Sequence, residues 1–223
     1  MVSPTFDPSG DFVAVCDGLA AVTLLARGTG AESWIAHALR RSIGTREIAA
    51  SDGRYIGSDV RFHLPVAEQP SRPNLGDVIL DGDGDRYTIL EVSRDTLGDR
   101  WRCICRNPVI AYGLNDTIEI LRAAYTKGEG GAPDDAWTVE RTGVRARIQP
   151  GTVDIGVQED ARRTVERFAI FVADDVAGSM TIAHDRRLRD QAGKVYRITG
   201  MTGAERIGEL AVIDAEISPW PFG

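Results

Sequence analysis

The feature that most constrains the fold is an internal repeat of roughly 105 to 110 residues. Three stretches recur in the same order: Arg61–Glu68 with Arg167–Asp174, Asp81–Ile89 with Asp190–Ile198, and Leu97–Asp99 with Ile207–Glu209. Three ordered matches at nearly constant spacing favour a tandem duplication over two unrelated segments that share turn chemistry. We therefore predict two copies of one unit, over residues 1–110 and 111–223, with the junction after Pro108.

The middle match carries the pattern D-x-x-G-x-x-Y-x-I, which predicts a turn followed by a strand. Glycine supplies the positive φ of a tight turn, and the alternating apolar residues after it are typical of a half-buried strand. The pattern predicts that each copy ends as a three-stranded meander. Its turn-defining residues are Asp81, Gly84, Tyr87, Asp190, Gly193 and Tyr196.

The start of each copy is compatible with either a helix or a strand. The apolar spacing over Phe12–Arg27 and Asp116–Tyr125 suits a helix face. Val22–Ala26 and Ile118–Arg122 suit strands equally well, and we favour strands there because the rest of each copy has a period of two. The predicted fold is mainly β, with two tandem small β-barrels of similar fold and little helix.

Composition excludes several classes of protein. The net charge is −7, from 26 basic and 33 acidic residues, which argues against a protein whose main task is to grip phosphate. No apolar run approaches 18 residues, and no basic segment precedes an apolar stretch near Met1, so we expect neither a membrane span nor a signal peptide. Three cysteines do not suggest a disulfide scaffold, and we expect a reducing compartment.

No stretch of the sequence composes a catalytic or metal site, and we predict that the chain is not an enzyme and holds no cofactor. Cys103 and Cys105 would point to one face of a strand, where buried packing is the simplest interpretation. His37, His63 and His184 lack further ligands at metal-binding spacing. Asp81–Asp85 is rich in acids, and a calcium-binding module or a metal-dependent enzyme remains an alternative there. A two-barrel module that binds a small ligand or peptide is another.

The second copy resembles the phage head–tail joining family, also called head-closure or stopper proteins. The resemblance rests on Trp137, on the V-x-A-x-I-x-P pattern of Val144–Pro150, on the strand Glu166–Phe171 and on the G-x-x-Y-x-I close within Asp190–Thr199. It covers about 80 to 100 residues of the second copy, and extends to the first only through the repeat. Family members are usually single units, whereas this chain has two.

The resemblance implies a small β-barrel that assembles as a ring in the virion neck, after synthesis and assembly in the host cytoplasm. It implies as partners other copies of the chain (a hexamer favoured, a dodecamer possible), a portal or adaptor above, a tail terminator or tail tube protein below, and double-stranded DNA in transit, with no membrane. In the family a long loop tends to face the channel, here Gln149–Arg163, with Ser42–Gly57 as its repeat counterpart. The candidate channel-facing residues are Gln149, Asp154, Gln158, Glu159, Asp160, Arg162 and Arg163.

Overall fold

A computed structural model of the chain describes residues 11–127, 133–158, 161–174 and 186–217. The chain divides into two compact units, Met1–Ala111 (unit 1) and Tyr112–Gly223 (unit 2). Among the described residues, no helix combines the length and the hydropathy that crossing a membrane would require.

Unit 1 is a closed antiparallel barrel whose described strands follow the order β1-β2-β3-β6-β5-β4. Its elements are α1 (Asp11–Val15), β1 (Leu19–Leu25), β2 (Glu32–Ser42), α2 (Thr45–Ala50), β3 (Val60–Pro65), β4 (Val78–Leu80), β5 (Arg86–Arg94) and β6 (Arg100–Arg106). A short helix, α3 (Pro108–Tyr112), leads into unit 2.

Unit 2 is a second closed antiparallel barrel, with the order β7-β8-β9-β12-β11-β10. Its strands are β7 (Asp116–Lys127), β8 (Pro133–Gln158), β9 (Ala161–Ala173), β10 (Arg186–Asp190), β11 (Val195–Thr202) and β12 (Leu210–Ile217). The order is that of unit 1, strand for strand. The prediction of two tandem β-barrels of similar fold, mainly β with little helix, is confirmed.

The alternation of apolar and polar residues that predicts the strands also determines which side chains form the two cores. Each barrel wall sends every second side chain inward, because successive residues of a strand point to opposite faces. In unit 1 the buried set includes Val22, Ile35, Phe62, Leu64, Ile79, Ile89, Cys103 and Cys105. In unit 2 it includes Ile118, Val144, Ala146, Ile170, Leu188, Tyr196, Ile198 and Ile213. Closure removes the free sheet edges of each barrel.

The ambiguous segments at the start of each copy are strands, as we favoured. Val22 and Ile118 lie in β1 and β7, and the helix in the first segment is limited to α1. The predicted meanders are β4-β5-β6 and β10-β11-β12, joined by direct antiparallel pairing. In both, the ladder of the last strand pair is interrupted at the same place, between Ile89 and Glu91 and between Ile198 and Gly200.

One sequence match is out of register in the structure. In unit 1, Arg61 pairs with Ile104. The residue of unit 2 that corresponds to Ile104 is Asp214. The sequence counterpart of Arg61, Arg167, pairs instead with Glu216, two residues further on. The alignment of Arg61–Glu68 with Arg167–Asp174 is therefore wrong by two residues. A shift of two keeps each side chain on its own face of the sheet, so the hydrophobic pattern alone does not detect it.

Candidate functional site

The two D-x-x-G turns share their backbone hydrogen bonds. Asp81 and Asp190 each accept a bond from the glycine three residues later, Gly84 and Gly193, at 3.1 and 3.0 Å. These glycines have φ of 86° and 82°, a region that favours glycine. Each aspartate carboxylate also accepts the backbone N–H four residues later, at 2.9 and 2.8 Å. The shared sequence pattern thus encodes one turn geometry, used twice.

The tyrosines of the pattern link each turn to its barrel. Tyr196 donates its hydroxyl hydrogen bond to Asp190 at 2.8 Å, and burial raises the pKa of its phenol. Tyr87 instead accepts from the Arg40 guanidinium at 2.8 Å. Both rings meet a phenylalanine edge to face with centroids 5.2 Å apart, Phe62 in unit 1 and Phe168 in unit 2. These contacts hold each turn against the core of its barrel.

The acidic turn of unit 1 is organised around its own backbone. The Asp81 carboxylate accepts the N–H groups of Asp83 and Asp85 at 3.1 and 2.9 Å, and also faces Arg40 at 3.1 Å. Across the described ranges there is no group of three histidine, cysteine or acidic residues that could hold a metal ion. The calcium alternative therefore gains no support from this turn.

The cysteines and histidines have structural environments where they are described. Cys103 and Cys105 are fully buried, as predicted, and burial raises the pKa of the Cys103 thiol to about 12. The His37 ring meets Glu68 at 2.5 Å, between Nδ1 and Oε1. Burial, followed by the nearby charges of Arg100, Arg61 and Arg102, lowers the pKa of His63 to about 4. His184 lies outside the described residues.

The predicted channel-facing segment is a hairpin, which corrects the expectation of a loop. Gln149, Asp154 and Gln158 lie in β8, and Arg162 and Arg163 lie in β9. Glu159 and Asp160 lie outside the described residues. Val153–Gln158 pairs with Ala161–Glu166 in continuous register, and in the described residues no other strand pairs with either segment. We call this two-stranded extension the ribbon.

The two strands of the ribbon pair residue by residue, from Val153 opposite Glu166 at the barrel end to Gln158 opposite Ala161 at the tip. Six residue pairs at about 3.3 Å per residue make the ribbon about 20 Å long.

The equivalent connection in unit 1 folds onto its own barrel. Residues 43–59, which we call the cover, contain α2 and seat Ile43 and Tyr55 against Ile104 of β6. The Tyr55 hydroxyl donates to Glu91, and Arg61 donates to Glu47 of the cover. The expected loop Ser42–Gly57 is therefore partly helical and closely packed.

A buried ion pair fixes the far end of the cover. Asp59, only 1% exposed, receives two hydrogen bonds of 2.8 Å from the guanidinium of Arg106. Its carboxylate also accepts the backbone N–H of Ile56 at 2.9 Å. The cover is thus held by apolar packing through Ile43 and Tyr55 and by charged hydrogen bonds through Glu47 and Asp59.

Unit 2 has an open concavity on the corresponding face of its barrel, which we call the groove. It is lined by Gly151, Arg167, Thr199, Gly200, Asp214 and Glu216, together with parts of three neighbouring residues. Asp214 and Thr199 are exposed. Glu216 accepts a hydrogen bond from Arg197 at 2.9 Å.

Sequence reasoning missed the cover, the groove and the strand character of the ribbon. The sequence did contain a sign of the ribbon's strands, because Val153, Ile155 and Val157 occupy alternate positions, as in a β-strand. The preceding Pro150-Gly151 suggested a loop instead. The cover had no such indication, since Ile43, Tyr55 and Ile104 meet only through the tertiary fold.

Comparison with known proteins found similarity only to solved structures. No protein-family model matches the sequence, and no curated protein matches it significantly. A chain in the virion of a native gene transfer agent particle is 19% identical, with a TM-score of 0.37, over 46% of this chain and 93% of that one. The phage-like element PBSX protein xkdH of Bacillus subtilis is 15% identical, with a TM-score of 0.28, over 45% and 92%. Neither similarity is strong enough to support a functional argument.

Proposed function

We propose that this chain is a structural neck protein of a tailed phage or prophage particle. It forms a ring that closes the DNA-filled head and joins the portal or adaptor to the tail. The proposal assigns the chain no catalytic step and no cofactor. Its copies assemble in the host cytoplasm and remain in the virion neck.

The observation that supports the proposal most directly is the place of the family-like motifs in unit 2. Trp137 and the Val144–Pro150 pattern lie in β8, Phe168 lies in β9 and Tyr196 lies in β11. The motifs that resemble head–tail joining proteins thus lie in three strands of one closed barrel. Unit 1 repeats the strand order of that barrel, so the same role extends to a tandem pair.

The duplication suggests how the ring meets its neighbours. A hexamer of this chain would present twelve barrels of similar fold, which would match a twelvefold portal or adaptor above to a sixfold tail terminator or tail tube below. A dodecamer is the second possibility. Closed rings follow when one contact repeats around a rotation axis.

The ribbon is the candidate channel element within this proposal. Of the candidate channel-facing residues, Asp154, Gln158, Arg162 and Arg163 lie in the ribbon, and Gln149 precedes it in β8. The net charge of −7 suits a conduit for DNA, because basic walls would bind the passing phosphates through counterion release.

The test is cryo-electron microscopy of particles from a strain that encodes this chain, with the neck resolved to side chains. We expect a ring of the chain between portal and tail. Deletion of the coding sequence should leave heads that lose their packaged DNA and free tails that stay unjoined, and expression of the intact chain from a plasmid should restore tailed particles. Purified tailed particles without any copy of the chain would contradict the proposal.

A further inference from the structure

The cover of unit 1 and the ribbon of unit 2 occupy the same position in the duplicated fold. The first joins β2 to β3 and the second joins β8 to β9, which are equivalent strands in the two barrels. The ribbon is a β-hairpin that stays paired as far as Gln158 and Ala161, so two residues form its tip. The cover instead contains the helix α2 and lies on its barrel wall. One connection of the fold is therefore found in two conformations.

The middle of the cover already has the turn of a β-hairpin. Asp52 and Gly53 have φ of 52° and 79°, and the backbone N–H of Arg54 donates to the carbonyl of Ser51 at 3.2 Å. Two central residues of positive φ, closed by this hydrogen bond, are typical of a type I′ turn. Two-residue hairpins favour this turn, and Asp-Gly is one of its preferred sequences. The cover therefore contains the element that a second ribbon needs at its tip.

The helix α2, between β2 and this turn, is weakly fixed. It has six residues, Thr45–Ala50, none of which is fully buried. Its N-cap is Gly44, which has no side chain to accept the first N–H groups of the helix. A helix of this length is marginal by itself, because the first turn is costly to form. We therefore expect α2 to keep its shape only while the cover stays in contact with the barrel.

A glycine lies near each end of the cover. Gly44 follows Ile43, and Gly57 lies two residues before Asp59. A Cβ at either glycine would meet open space, so packing does not fix the backbone at these positions. Between them, backbone hydrogen bonds such as that from Ser51 to Ile48, at 3.1 Å, join the cover to itself. Residues 44–57 can therefore move as one piece about two hinges.

The contacts that close the cover set the free-energy cost of opening it. Tyr55 packs on Ile104 and donates its hydroxyl hydrogen bond to Glu91, and Arg61 donates to Glu47. Opening would expose the Tyr55 ring and the Ile104 side chain to water, which is unfavourable. The isolated chain therefore keeps the cover closed. A partner can shift this equilibrium only by binding the open form more tightly than the closed form.

We propose that the cover is the closed form of a second ribbon and that it opens when the chain enters the ring, an inference that rests on the proposed function. Residues 44–57 leave the wall, α2 is lost, and β2 and β3 lengthen on either side of the Asp52-Gly53 turn. The ion pair of Asp59 with Arg106 stays at the base of this hairpin. A neighbouring copy of the chain buries the Ile104 side chain that the cover leaves, and each copy then contributes two ribbons.

The test measures the state of the cover by cross-linking within the chain. Cys16→Ser removes the partly exposed cysteine, and the other two cysteines are buried. Glu47→Cys with Arg61→Cys then places one thiol on each side of the closed contact. A brief pulse of a short bis-maleimide should bridge most of the free chain. In purified tailed particles the bridged fraction should fall to almost none, since moving from about 1% to about 99% open is a shift of about 10⁴-fold.

The matched control is Ser93→Cys with Arg102→Cys, which face each other on the paired strands β5 and β6. Peptide mass spectrometry should find this pair bridged equally in the free chain and in particles. An equal bridged fraction for Glu47→Cys with Arg61→Cys would mean that the cover stays closed, and would overturn the inference. A free chain that does not bridge would show a cover already open, and would also overturn it. Particles without the unaltered chain contradict the proposed function instead, so the two failures are distinguishable.

Native-state hydrogen exchange of the unaltered chain provides a second readout should the cysteine variants fail to enter particles. Amides of residues 46–56 should exchange through a local opening whose free energy depends weakly on urea, because the opening exposes little surface. Amides of β5 and β6 should exchange only through unfolding of the barrel, with a steep dependence on urea. The same steep dependence in the cover would mean that it leaves the wall only when the barrel unfolds, and would overturn the inference.

Discussion

The β2–β3 connection of unit 1 and the β8–β9 connection of unit 2 join equivalent strands and yet differ completely. The first packs on its barrel through Ile43 and Tyr55, and the second leaves its barrel as a ribbon. The strand order is unaffected by the difference. The barrel is therefore specified by its core and its turns, and the connection is free to take on a separate role.

The largest expected effect on stability comes from replacing Ile104 of unit 1 with aspartate, the residue at the equivalent position of unit 2, Asp214. Ile104→Asp buries an unpaired carboxylate beneath the cover, and we expect a loss of about 4 kcal/mol in stability. Hydrogen exchange of the full chain should show rapid exchange over residues 43–59. The matched change Asp214→Ile lies on an exposed position and should leave exchange in unit 2 nearly unchanged. Slow exchange of the cover in Ile104→Asp would contradict its packing role.

The next effect tests the ion pair that holds the cover. Asp59→Asn removes the charge that balances the buried Arg106 guanidinium, with an expected cost of about 3 kcal/mol. In unit 2, Glu216→Gln breaks a more exposed pair with Arg197 and should cost less than about 1 kcal/mol. Urea unfolding of the full chain, followed by hydrogen exchange in each unit, measures both. Equal losses of unfolding free energy in the two variants would mean that burial does not make the Asp59–Arg106 pair more stabilising than the Glu216–Arg197 pair.

Acid should weaken unit 1 through His63. Its pKa is lowered from 6.5 to about 4, so the unfolded chain binds a proton at a pH where the folded chain does not. The stability from this group is complete above pH 6.5 and is lost as the pH falls toward 4. His63→Gln should flatten the dependence of the unfolding free energy on pH in this window. An unchanged slope in His63→Gln would exclude His63 as the source.

The smallest effect concerns the turn that the units share. Asp81→Ala leaves the N–H groups of Asp83 and Asp85 without their carboxylate partner and should cost about 1 kcal/mol. Asp83→Ala should have no measurable effect on the melting temperature. Added calcium should not raise the melting temperature of the unaltered chain, since a ligand that binds the folded state would stabilise it. A calcium-dependent rise that Asp83→Ala abolishes would restore the metal-binding alternative.

The parts of the structure that could be predicted are those that local chemistry determines. Gly84 and Gly193 mark positive φ, and the tyrosines that follow mark inward strand positions, so the duplicated meander could be predicted from the sequence. The register of β3 and β9 could not, because a shift of two residues leaves the hydrophobic pattern intact. The contact of Tyr55 with Ile104 joins residues far apart in the chain and needs the folded barrel.

The length of β8 has a mechanical consequence. β8 runs for 26 residues, pairs with β7 as far as Pro133 at one end and with β9 as far as Gln158 at the other, and contributes to the barrel wall in between. Because antiparallel hydrogen bonds lie perpendicular to the strands, tension along β8 loads many of them together in shear. A force on one end of β8 is therefore resisted by many hydrogen bonds together rather than by one at a time, so β8 can carry tension from one end of the barrel wall to the other.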